Sequence, residues 1–132
     1  MEFSRNLHNK FVKPAYYYSV SEFLTTFGDE KKNFSHDEYF KGDDLLECRK
    51  KAFEYYSKRK EGLDKRDSFF EKPFTFPGVE ADVLKKSSAY SISLNFVQDD
   101  PSHGVFLYPI AGEDEETVNE SLELERLILN DM

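Results

Sequence analysis

The stretch DDLLECRKKAFEYYSKRKEG, residues 43–62, has the clearest helical period in the chain and a stop signal at each end. At about 100° per residue, Leu45, Leu46, Cys48, Ala52, Phe53, Tyr55, Tyr56 and, just beyond, Leu63 gather on one broad face. Glu47, Lys50, Lys51, Glu54, Ser57, Lys58 and Glu61 cover the other face. Asp44 with Glu47 three residues on is a capping-box pair. Lys58, Arg59 and Lys60 suit the negative end of a helix, and Gly62 is placed to close it. On the polar face Glu47 with Lys51, Lys50 with Glu54, and Glu54 with Lys58 are spaced for pairing one turn apart. Most of the basic excess of this stretch is therefore matched internally, and nucleic-acid binding need not be invoked for it. Arg49 is the exception, because the wheel puts it between Leu45 and Phe53, inside the apolar stripe.

Other elements are placed relative to that helix. AYYYSV, residues 15–20, reads as a strand, with Tyr16, Tyr18 and Val20 on one face and Pro14 at its start. Ser21, Glu22, Phe23, Leu24 and Phe27 read as a short helix stopped by Gly28. Residues 29–41 read as a polar connection anchored by Phe34, Tyr39 and Phe40. AYSISLNFV, residues 89–97, alternates Tyr90, Ile92, Leu94 and Phe96 with Ser91, Ser93 and Asn95, so it is a strand with one buried face. Residues 105–110 form its hairpin partner across a loop of about six residues, and Pro109 places that partner at or near an edge. Gly112 and Asp114 open a last helix to about Asn130, with a stripe of Val118, Leu122, Leu124, Ile128 and Leu129 into which Glu125 falls. An arginine in one apolar stripe and a carboxylate in another are expected to meet, Arg49 against Glu125. The segment SFFEKPFTFPG, residues 68–78, is too rich in proline for a helix; it either lies over the domain as an aromatic lid, which is the favoured expectation, or exposes its aromatic rings to a partner.

The fold class expected is α+β: a small antiparallel sheet of about three strands, with two main helices packed on one face, in one domain spanning residues 1–132. The 13 Phe and 8 Tyr supply the large apolar areas that a chain of only 39% hydrophobic residues needs for a core. No apolar run has the length of a signal peptide core or a membrane span, so the expectation is a cytoplasmic protein. The single cysteine, Cys48, excludes an internal disulfide or a cysteine-built zinc site.

Net charge is −8, and residues 99–132 carry ten acidic side chains against one basic. Such a balance repels nucleic acid at long range and favours a basic protein partner. No phosphate-cradling glycine loop, HExxH, CxxC, EF-hand or GxSxG pattern occurs, so neither a metal nor a cofactor is expected and the balance tips away from an enzyme. His36-Asp37-Glu38 are adjacent and would point in different directions. His103 belongs with turn chemistry, and Cys48 with small core residues.

The leading expectation is a non-catalytic protein-binding module, an immunity- or antitoxin-like inhibitor or accessory subunit. It would dock on a basic protein through Glu113, Asp114, Glu115, Glu116, Glu120 and Glu123. The alternative is an enzyme binding a small molecule or nucleotide, with Arg49 as anion anchor and Tyr56 and Glu125 beside it. A third reading is an acidic mimic of nucleic acid.

Overall fold

The computed structural model describes residues 14–27, 30–64, 76–79, 88–112 and 114–130. Among these residues the elements in chain order are β1 (Ala15–Phe27), β2 (Lys31–Phe40), α1 (Leu45–Asp64), β3 (Ser88–Asp100), β4 (Gly104–Ala111) and α2 (Glu115–Asn130). The strands form one antiparallel sheet of four in the order β2-β1-β3-β4. The sheet thus has one strand more than the sequence suggests.

That extra strand corrects the reading of residues 21–41. β1 does not turn into a helix after Val20 but runs on to Phe27, and β2 returns beside it from Lys31 to Phe40. Phe23, Leu24 and Phe27 mimic a helical stripe, yet only Leu24 is buried, while Phe23 and Phe27 lie more than half exposed on the opposite face. The period that governs is two: Tyr18, Val20, Glu22, Leu24 and Thr26 are all buried. A glutamate in the middle of that row hides the alternation from a hydropathy reading. In β2 the half-buried row is Phe34, His36, Glu38 and Phe40, again with polar residues at inward positions.

The other strands extend the expected ones at both ends, and the β3–β4 hairpin closes in three residues, Pro101 to His103, rather than about six. Asp100 shapes the turn by accepting from the Ser102 and His103 backbone N–H groups, and Gly104 takes a left-handed φ of 104° to leave it. A register shift opposite Leu94/Asn95 sets a bulge beside Pro109, and Ile110 is buried in the core.

Asp44 caps α1 through the Glu47 N–H at 3.2 Å, and Asp114 caps α2 through both the backbone and hydroxyl of Thr117. α1 continues through Gly62 to Asp64, so Lys58, Arg59 and Lys60 lie one turn before its end rather than in it. The core lies between the helices and one sheet face. It joins Tyr18, Val20, Ile92, Leu94, Phe96 and Ile110 of the sheet to Leu45, Cys48, Ala52 and Tyr56 of α1, with Leu122, Ile128 and Leu129 of α2 packed against it. Leu46, assigned to the apolar face, is 64% exposed because it sits at the rim of the stripe. On the opposite sheet face Asn95 bridges the Ser19 and Ser21 hydroxyls. No helix among the described residues is long and apolar enough to cross a membrane.

Candidate functional site

α1 carries two arginines ten residues apart, and each reaches a buried glutamate. Arg49 Nε donates to both oxygens of Glu125 at 3.1 Å, and the Tyr18 hydroxyl donates to Glu125 Oε2 at 2.7 Å. Arg49 and Glu125 therefore meet as their placement in two apolar stripes implies. Burial, and then the hydrogen bond to the carboxylate, raises the Tyr18 phenol far above its ordinary value. Burial works against the Arg49 charge, but the bond and field of Glu125 outweigh it and the net shift is upward. The Arg49 guanidinium also stacks over Phe53, 4.8 Å from its centroid.

The second constellation was not expected from the sequence, because Glu22 was placed on a helix and Arg59 among solvated charges. Glu22 projects from the middle of β1 toward α1 and is fully buried. Its Oε1 accepts from Arg59 Nε at 2.5 Å and also from the Tyr90 hydroxyl of β3. Tyr90 is raised by burial and by Glu22, and Arg59 is held charged by the same carboxylate against the pull of burial. Both donors use one oxygen. Glu22 Oε2 is buried and accepts from no group among the described residues. An unpaired buried carboxylate oxygen is costly, and most such atoms in folded proteins find a donor.

Beside this carboxylate lies a pocket of about 230 Å³ lined by Glu22, His36, Tyr55, Arg59, Phe76 and Pro77. One wall comes from the Phe-rich segment. Pro77-Gly78, with Gly78 at φ 80° and the Val79 N–H bonded to the Phe76 carbonyl, makes the tight turn that delivers Phe76. Phe76 is 3% exposed and meets Tyr90 edge-on at 6.1 Å. This end of the expected lid is therefore docked on the domain, and residues 68–75 lie outside the described residues. Tyr55, raised by burial and by Glu22, packs against Phe40.

The residues proposed from sequence fall into two groups. Asp114, Glu115, Glu116, Glu120 and Glu123 are all exposed on α2, and Glu113 lies outside the described residues. Glu123 is matched by Arg126 at 2.7 Å. Of the alternative trio, Arg49 and Glu125 bond each other, while Tyr56 is buried in the core with Lys60 over its ring. Arg49 thus has its charge matched inside the domain. His36 and Glu38, two apart on β2, come within 3.4 Å, with Asp37 on the other face. His103 bonds Asp100 in the hairpin turn, and Cys48 is a buried free thiol. Among the described residues no group of three or more His, Cys, Asp and Glu side chains is placed to hold a metal ion.

The one sequence signal for the second constellation was the alternation Tyr18, Val20, Glu22, Leu24, which puts a carboxylate in a core row. No protein-family model, no curated protein and no solved structure matches this chain.

Proposed function

We propose that this chain is a non-catalytic protein-binding module, of the immunity- or antitoxin-like or accessory-subunit kind, that docks on a basic protein. The observation that carries the reading is the pairing of an open apolar edge with an acidic helix. β4 is an edge strand on which Val105, Phe106 and Leu107 are 57%, 41% and 55% exposed. The other edge, β2, is guarded by exposed Lys31 and Lys32, whereas on β4 the bulge and Pro109 protect only the far end. α2 packs over β4 and presents Asp114, Glu115, Glu116, Glu120 and Glu123 outward. An apolar strip flanked by one sign of charge has the layout of a protein interface with a dry centre and a charged rim. No strand among the described residues pairs with the outer edge of β4, which offers backbone groups for a further strand.

Affinity capture from the cells that make the protein, at low and at high ionic strength, tests this reading. The expected result is one basic protein, retained at low salt, weakened at high salt and lost with either Leu107→Lys or the pair Glu116→Lys and Glu120→Lys. Recovery of nothing at low salt, or of a protein indifferent to both substitutions, would refute it.

A further inference from the structure

The pocket beside Glu22 lies at the β2 side of the sheet, away from α2 and the β4 edge, so it does not depend on the docking surface. We infer that it is a binding site for a small aromatic molecule carrying an N–H donor, such as an aromatic amide or an amino-heteroaromatic ring. Three observations converge on that chemistry. Glu22 is fully buried and lines the pocket, and its Oε2 lacks a donor among the described residues. A ligand N–H supplies the missing bond, and the carboxylate's charge is already matched by Arg59 at 2.5 Å, so the ligand need not be a cation. The remaining lining residues, Tyr55, Phe76, His36 and Pro77, are ring-bearing and suit a planar body. The volume, about 230 Å³, exceeds the roughly 150 Å³ of a cavity that holds benzene, which leaves room for a ring with a small substituent.

Benzamide and acetophenone separate the role of the donor from that of the ring, since they differ in an NH2 against a CH3 at nearly equal size. Titration of the full chain with each, followed by backbone amide NMR, is expected to give saturable shifts centred on Glu22, His36, Tyr55 and Phe76. Benzamide should bind on the order of tenfold more tightly, because only it pairs Oε2. Glu22→Gln should abolish the preference: the amide oxygen keeps Arg59 and Tyr90, its NH2 occupies the Oε2 position, and both probes offer that NH2 the same carbonyl acceptor. His36→Ala removes a half-buried wall without touching the core and should weaken both probes several-fold. Equal affinity of the unsubstituted chain for the two probes, binding of neither at millimolar concentration, or shifts centred elsewhere would each overturn the inference.

Discussion

Two buried glutamates meet two arginines of the same helix, and each also takes a tyrosine hydroxyl from the sheet, yet among the described residues only one of the two carboxylates has both oxygens bonded. Glu125 has both oxygens bonded, by Arg49 and Tyr18. Glu22 receives Arg59 and Tyr90 on the same oxygen, and its other oxygen, next to a pocket, has no donor among the described residues. The difference separates two uses of one motif. A carboxylate with both oxygens bonded ties α2 to α1 and to the sheet. One that is answered on a single side ties β1 to α1 and has acceptor capacity left over for something else. Burial follows the same division, for the Arg49 side chain is 33% exposed and Arg59 only 17%.

The contrast predicts unequal costs. Glu22→Ala removes the buried carboxylate that Arg59 and Tyr90 share and should destabilise the domain by about 3–5 kcal/mol, measured by urea unfolding. Replacing both partners, Glu22→Leu with Arg59→Met, should recover most of that loss, because an apolar pair needs no compensation. If the double variant is as unstable as Glu22→Ala, the pair is more than an ion pair to the fold. Glu125→Ala should cost less, about 2 kcal/mol, since Arg49 can turn to water. Equal losses at the two glutamates would erase the distinction.

The tyrosines give a subtler test. Tyr18 and Tyr90 both have phenol pKa values raised by burial and by their glutamates. A group whose folded pKa lies above its unfolded value stabilises fully below the unfolded value, about 10 for tyrosine, and loses that contribution as pH rises toward the folded one. The melting temperature should therefore fall above about pH 10. Tyr18→Phe and Tyr90→Phe should each flatten that fall. A melting temperature constant across the alkaline range would contradict the raised phenol pKa values of both tyrosines. The smallest effect is expected away from either constellation: Asp44→Ala removes the α1 cap and should cost about 1 kcal/mol without changing ligand binding at the pocket.

How much of this was legible beforehand follows from where polar residues sit. Both helices and the β3–β4 hairpin follow from their periods and caps. The Arg49–Glu125 pair follows too, because each charge interrupts a stripe that is otherwise clear. β2 and the second half of β1 did not, since Glu22, His36 and Glu38 occupy inward positions and break the hydrophobic alternation that identifies a strand. The pocket was hidden for the same reason, as its two charged groups come from an element misread as helix and from an arginine grouped with solvated lysines. Phe76 was expected on the domain, but its place against Tyr90 depends on the Pro77-Gly78 turn and on a strand 14 residues away in sequence.

Glu125 has both oxygens bonded within the domain, whereas Glu22 Oε2 has no donor among the described residues. A crystal structure of the domain soaked with benzamide tests this difference most directly. Planar density is expected in the pocket, its amide nitrogen within hydrogen-bond distance of Glu22 Oε2, with no ligand at Glu125. A protein donor already bonded to Glu22 Oε2, with the pocket empty at saturating benzamide, would contradict it.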